Sequence, residues 1–154
     1  MTTITTGDDR ALWMLNSLMV ERATAEQTNG AYSILEQWIT ADGNPPPHMH
    51  TNEDEAFMVV DGEIDVTVGD TTTRVGPGGF AFAPRGVPHT YAVVSDMAHM
   101  YVIATPGGIE HFFRDLGEPA GSLTIPQPAA PDVDHVVGTA RRHGIAILPP
   151  PASR

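Results

Sequence analysis

HMHTNEDEAFMVVDG at residues 48–62 and GGFAFAPRGVPH at residues 78–89 are the two stretches that decide the fold of this chain. Together they supply three imidazoles and one carboxylate. Residues two apart on a β-strand face the same side of the sheet, so one strand can present both His48 and His50 to one ion. Imidazole nitrogen suits iron, nickel, copper or zinc, and a carboxylate adds negative charge. The residue types and their spacing therefore predict a site for a single divalent metal ion.

The same stretches have the pattern of β-strands. An apolar run that opens at Glu55 ends at the Asp-Gly pair of residues 61–62, a tight-turn signal, and residues 64–68 then alternate between apolar and polar. Residues 84–88 hold two prolines and a glycine and predict a turn, after which His89 opens a strand-like segment. We therefore predict a hairpin that carries Glu55 on its first strand, followed by a strand that begins at His89.

At these residues the chain resembles the cupins. The first cupin motif, G-x5-H-x-H-x3,4-E-x6-G, fits from His48 through Gly62, with the longer spacer before the glutamate. The second, G-x5-P-x-G-x2-H-x3-N, fits from Gly78 through His89. The short distance between Gly62 and Gly78 is similar to that of compact bacterial members.

Two positions depart from the motifs: Gly43 lies one residue too close to the first histidine, and Val93 stands where the family often has Asn. Neither position is a ligand in the family. The resemblance implies one divalent metal ion per chain, either iron, nickel, cobalt, manganese, copper or zinc, and four ligands: His48, His50, Glu55 and His89. It also implies an all-β fold, a small antiparallel β-barrel (double-stranded β-helix or jelly roll) with short C-terminal helices.

Features outside the motifs make the chain similar to single-domain bacterial cupins described as quercetin-dioxygenase-like. They are an N-terminal strand with a tryptophan, two prolines directly before His48, and a turn at residues 105–108 that leads into a helix with two phenylalanines. This resemblance implies a metal-dependent oxygenase that acts on a small hydroxylated aromatic or enol substrate, flavonol-like or polyketide-like, with O2 as co-substrate. Glu55 is then catalytic as well as a ligand, because it takes the hydroxyl proton of the substrate.

Two other functions stay open, because fold does not fix function. The first is a non-redox, metal-dependent cyclase or isomerase of aromatic polyketide biosynthesis, which would use the same ligands. The second is a non-catalytic cupin that binds a metal or a small molecule.

Composition sets further expectations. At 154 residues the chain is long enough for one hydrophobic core, and the absence of cysteine excludes disulfides and thiolate metal sites. The formal charge of −11 argues against nucleic acid or an anionic membrane surface as a partner. No apolar run approaches the roughly 20 residues of a membrane span, and the first residues do not resemble a signal peptide. We therefore expect a cytoplasmic protein.

The chain divides into two parts. Residues 1–121 are predicted to form the barrel, with flanking N-terminal strands and a short helix at 109–116 that we expect to pack against the sheet rather than cover a barrel end. Residues 122–154 are predicted to form a Pro-rich linker and a C-terminal helix that packs on the barrel, with Asp132 as its N-cap. The apolar segment at residues 12–15 is a candidate edge strand for a homodimer.

Strand alternation also suggests which side chains line a substrate pocket. If Glu55 faces inward, the pattern favours Phe57, Val59, Phe82 and Tyr91 as pocket residues, although such side chains more often fill a barrel core. An apolar pocket implies a small hydrophobic aromatic ligand.

Other titratable residues are expected to be ordinary. Glu53 and Asp54 are expected to be solvated loop charges, although either is a slipped alternative to Glu55. His99 is expected to be partly buried on a strand, and three further histidines are expected to face solvent: His111, His135 and His143.

Overall fold

The computed structural model describes residues 10–149, which form twelve β-strands and two α-helices. The strands are β1 (Ala11–Met14), β2 (Ser17–Ala23), β3 (Ser33–Ile39), β4 (His48–His50), β5 (Asp54–Asp61), β6 (Ile64–Val68), β7 (Thr71–Val75), β8 (Phe80–Ala83), β9 (His89–Val93), β10 (Ala98–Thr105), β11 (Glu118–Pro119) and β12 (Ile145–Ile147). The helices are α1 (Ile109–Leu116) and α2 (Val133–Arg142).

The strands form two antiparallel sheets that enclose one main core. The larger sheet has the order β11-β1-β2-β3-β10-β5-β8, and the smaller has the order β12-β4-β9-β6-β7. Phe57 and Met100 of the larger sheet and Ile64 and Val66 of the smaller belong to the same buried cluster. This architecture confirms the predicted all-β fold with short helices.

The predicted hairpin of β5 and β6 is wrong. Both strands form and a tight turn joins them, but β5 pairs with β10 and β8 in the larger sheet and β6 pairs with β7 and β9 in the smaller, so the turn connects the two sheets. Phe57 and Val59 are buried and Met58 is exposed, so the alternation along β5 follows the sequence pattern. At the turn, Gly62 has a φ of +79°, and a Cβ on it would lie 2.2 Å from the carbonyl oxygen of Met97. Only glycine fits that turn, because both the backbone conformation and the lack of space exclude a side chain.

Register brings the predicted metal ligands to one place. His48 of β4 pairs with His89 of β9 in the smaller sheet, and His50 pairs with Ile145 of β12. Glu55 comes from β5 of the larger sheet and is buried. The two sheets together therefore position the four side chains.

The prediction that Phe82 lines a pocket is wrong. Phe82 is 53% exposed, because β8 pairs with β5 in the register Ala56↔Phe82. Residues paired across a sheet face the same side, and Ala56 lies on the side of β5 opposite to Glu55. The inward positions of β8 are therefore alanines, with Ala83 buried.

The C-terminal segment contains one strand that the sequence analysis did not predict. Asp132 caps α2 as predicted, since its carboxylate accepts a hydrogen bond from the backbone N–H of His135. After α2, β12 pairs with β4, which carries two of the histidines. Within residues 10–149, neither helix is long and apolar enough to cross a membrane.

Candidate metal centre

Four side chains meet at a single carboxylate oxygen. Oε2 of Glu55 lies 2.9 Å from Nε2 of His50, 2.9 Å from Nε2 of His89 and 4.0 Å from Nε2 of His48. One ligand atom of each residue lies within 4.8 Å of those of the other three. The side chains are largely shielded from water, with His48 the most exposed at 12%. The structure thus brings together all four residues that the sequence predicts as ligands.

The outer nitrogen of each imidazole is already occupied. Nδ1 of His48 donates to the carbonyl of Pro46 at 2.8 Å, and Nδ1 of His89 donates to the carbonyl of Val87 at 3.2 Å. Nδ1 of His50 donates to a carboxylate oxygen of Glu53 at 2.6 Å. A neutral imidazole has only one N–H, so in the neutral form that a metal ligand requires these bonds would leave the lone pair on Nε2, the atom that faces Glu55.

A divalent metal fits this donor set. Within residues 10–149, Nε2 of His50 is the buried side-chain polar atom that makes no hydrogen bond, since its contact with Glu55 lacks hydrogen-bond angles. Leaving a buried polar atom without a partner is costly, and a metal ion at this point would supply the partner. Three imidazoles and one carboxylate leave coordination positions free on an ion that accepts five or six ligands.

Burial and mutual charge set the protonation states. Burial lowers the pKa of His48 to about 4, against the smaller opposing effect of Glu55. Burial also acts to lower the pKa of His50, but the Glu55 and Glu53 carboxylates together raise it to about 10. Burial alone would raise the pKa of Glu55, yet His50 and His89 hold it well below its usual range. Glu55 is therefore an ionised carboxylate suited to a cation and is a weak base.

Glu53 is a site residue that the sequence analysis missed. The expectation of a solvated loop charge is wrong, because Glu53 is only 8% exposed and its carboxylate accepts the hydrogen bond from His50. The available signal was its position three residues after His50, in the link between β4 and β5. Asp54, by contrast, pairs with Arg85 at the surface as expected for a solvated charge.

The remaining histidines lie outside the site. His99 is partly buried as expected, where it stacks on Trp38 with ring centroids 4.4 Å apart. His111 and His135 are exposed as expected. His143 is half-buried rather than solvent-facing, since its Nε2 lies 2.7 Å from a carboxylate oxygen of Asp115.

A small apolar cavity of about 70 Å³ adjoins the candidate metal ligands. Phe57 and Tyr91 line it as predicted. Val59 is buried in the core and is not among the described residues that line the cavity. Helix α1 contributes Phe112 and Phe113, so the expectation that this helix only packs against the sheet is wrong.

A series of hydrogen-bonded polar side chains reaches this apolar cavity. The hydroxyl of Tyr91 donates to the side-chain carbonyl of Gln37 at 3.2 Å, and the Gln37 amide donates to the Ser17 hydroxyl at 3.1 Å. Burial, aided by the Glu55 charge, raises the pKa of Tyr91, so its hydroxyl stays protonated. The sequence analysis missed Gln37, which stands between Glu36 and Trp38 in β3 and carries no motif.

Comparisons with known proteins agree with the fold. Residues 38–106 match the family model of the cupin domain. The chain is 23% identical to quercetin 2,3-dioxygenase of Bacillus subtilis over 129 residues, which is 83% of this chain but 38% of that enzyme. This chain therefore corresponds to well under half of the length of that relative.

Solved structures show the same fold at low identity. An RmlC-like cupin from Shewanella frigidimarina superposes with a TM-score of 0.59 at 15% identity, covering 72% of this chain and 96% of that one. The polyketide cyclase RemF from Streptomyces resistomycificus superposes with a TM-score of 0.55 at 22% identity, covering 68% and 79% of the two chains.

Replacing Glu53 should weaken metal binding. In Glu53→Gln the His50 ring loses its charged hydrogen-bond acceptor, so the ring is held less firmly and its Nε2 becomes less basic. We therefore expect the affinity for Zn²⁺ to drop by about tenfold or more. Competition with a chromophoric chelator measures this change. Asp54→Asn, which removes the neighbouring surface carboxylate, is the matched control and should bind Zn²⁺ like the wild type. Unchanged affinity in Glu53→Gln would contradict a supporting role for Glu53.

Proposed function

This chain belongs to the cupin superfamily, and we propose that it is a metal-dependent oxygenase that acts on a small hydroxylated aromatic or enol substrate with O2 as co-substrate. The observation that carries the proposal is the convergence of three imidazoles and Glu55 beside an apolar cavity. The similarity to a quercetin 2,3-dioxygenase supports an oxygen-dependent reaction.

The ligands would be His48, His50, Glu55 and His89, with one divalent ion of iron, nickel, cobalt, manganese, copper or zinc per chain. When bound, a redox-active ion supplies Lewis acidity and reactivity towards O2. Once deprotonated by metal binding, the histidines would present Nε2 lone pairs that their outer hydrogen bonds hold in place.

The other residues control the surroundings of the substrate. Phe57, Phe112 and Phe113 surround the cavity with apolar surface that excludes water from the reacting groups. The Tyr91 hydroxyl, fixed by Gln37, offers an oxygen lone pair to a polar group of the substrate. Glu55 is the carboxylate that lines this cavity among the described residues, so it is the candidate acceptor for the substrate hydroxyl proton.

Oxygen uptake tests this proposal. With the Fe²⁺-loaded protein, we expect loss of a flavonol such as quercetin to be matched by O2 consumption on an oxygen electrode. Equal turnover without O2 would indicate a cyclase or isomerase instead, and saturable binding without any product would indicate a binding cupin.

Glu55→Gln separates the two roles of Glu55. Because the low pKa of Glu55 suits a ligand better than a base, we expect metal content and turnover to fall together, turnover by more than about a hundredfold. Asp54→Asn serves again as the control. Full metal retention with lost turnover would show that Glu55 acts mainly as a base.

We further propose that the protein is a homodimer that pairs through β8. This strand is one of the two edges of the larger sheet, and its Phe80 and Phe82 are 60% and 53% exposed beside the exposed Met58 of β5. An apolar patch on an open edge strand favours association with a second copy. The segment at residues 12–15 is not that edge, because β1 lies between β2 and β11.

Light scattering coupled to size-exclusion chromatography tests the dimer. We expect twice the mass of one chain for the wild type and the mass of one chain for Phe82→Asp, since a carboxylate would be buried in the interface. Leu123→Asp alters a residue of similar exposure, 51%, away from β8 and should stay dimeric. A monomeric wild type, or a dimeric Phe82→Asp, would contradict the proposal.

A further inference from the structure

A second and larger cavity lies directly outside the cavity at the metal ligands. Its volume is about 580 Å³, and we call it the outer groove. It is lined by Pro131, by Val133 and Val137 of α2, and by Leu148 and Pro149 after β12. Residues from 131 onward lie outside the segment that matches the cupin domain. The outer groove is therefore built in part by a C-terminal segment that lies outside the matched cupin domain.

The two cavities are neighbours. Six residues line both of them and so form the partition between them: Leu15, Gly43, Pro45, Pro46, Val136 and Ile147. These residues come from the β1–β2 turn, the segment before β4, α2 and β12. The outer groove therefore lies next to the inner cavity, on the other side of these six residues.

Volume decides how a substrate divides between the two cavities. The inner cavity has about 70 Å³, roughly half of the ~150 Å³ of an engineered cavity that accepts benzene. It can hold the oxygen-bearing edge of an aromatic molecule but not a complete ring system. The outer groove, at about 580 Å³, lies within the usual range of roughly 300–1,000 Å³ for small-molecule pockets.

The lining of the outer groove selects for uncharged apolar groups. Val133 is 64% exposed and adds apolar surface to the groove from α2, whose other side is buried. The charged residue among the described lining residues is Asp42, so no basic side chain there attracts an anion. Asn16 and Asn44 also line it, but both side chains already bond elsewhere, Asn16 to Ala129 and Asn44 to Val93.

We propose that the outer groove binds the apolar body of a bicyclic or larger substrate whose oxygen-bearing edge reaches the metal ligands. This inference rests on the proposed function, because the metal ligands define where the reacting edge lies. It assigns selectivity for substrate size to α2 and to the residues that follow β12. A substrate with a single small ring gains nothing from these residues.

Two probes with the same chelating edge test the proposal. 3-Hydroxyflavone and maltol share a 3-hydroxy-4-keto group, but maltol lacks the fused and pendant rings. Binding is measured by calorimetry on the Zn²⁺-loaded protein, because zinc is not redox-active and the probes are not consumed. We expect the wild type to bind 3-hydroxyflavone at least tenfold more tightly than maltol.

Variants of α2 locate the extra affinity. Val133→Asp should weaken the binding of 3-hydroxyflavone by at least tenfold, about 1.4 kcal/mol. It should leave the affinity for maltol unchanged. Val137→Asp, one turn further along the helix, should do the same and guards against a folding defect in a single variant. His135→Asp places the same charge at an exposed position of α2 outside the groove and should change neither affinity.

The outcomes separate this inference from the proposed function. Wild-type affinity for 3-hydroxyflavone in both groove variants, or an equal loss for both probes, overturns the inference alone. Failure of the wild type to bind either probe overturns the proposed function and the inference together. A loss of affinity for 3-hydroxyflavone but not for maltol in the groove variants supports the inference. If the Fe²⁺-loaded protein then consumes no O2 with flavonols, the inference stands and only the oxygenase assignment fails.

Discussion

The buried charge of Glu55 is the constraint on which the rest of the site depends. A carboxylate that is 5% exposed between two sheets needs compensation, because an isolated buried charge is strongly unfavourable. The compensation comes from His50 and His89, whose contacts lower the pKa of Glu55. These contacts exist because β5 of one sheet faces β4 and β9 of the other. The fold and the candidate metal centre are therefore a single arrangement rather than a barrel with a site added to it.

The outer hydrogen bonds make this arrangement specific. Two imidazoles are held by backbone carbonyls, and His50 is held by a second buried carboxylate, that of Glu53. The C-terminal segment adds a further level of support, since β12 pairs with β4 and α2 forms a wall of the outer groove. Residues far apart in the chain therefore determine both the orientation of the ligands and the space available to a substrate.

Much of this could be read from the sequence. The four candidate ligands lie at recognisable spacings, and the Asp-Gly pair marked the turn between β5 and β6, because local turn chemistry and strand alternation act over a few residues. Whether the two strands then pair is decided by tertiary packing, and the predicted hairpin was wrong because they enter different sheets. Phe82 was misplaced because alternation shows that residues share a face, but only the pairing with β5 decides which face is inward. β12 has three residues, too few for a pattern. Glu53 and Gln37 acquire their roles through tertiary contacts that no local pattern encodes.

X-ray absorption spectroscopy of the metal-loaded protein tests the central claim most directly. The account predicts a first shell of nitrogen and oxygen with the multiple scattering of three imidazoles, and the loss of one imidazole in His48→Ala. A bound metal with one imidazole or none, or a spectrum that is the same in His48→Ala, would contradict the assignment of these four residues as its ligands.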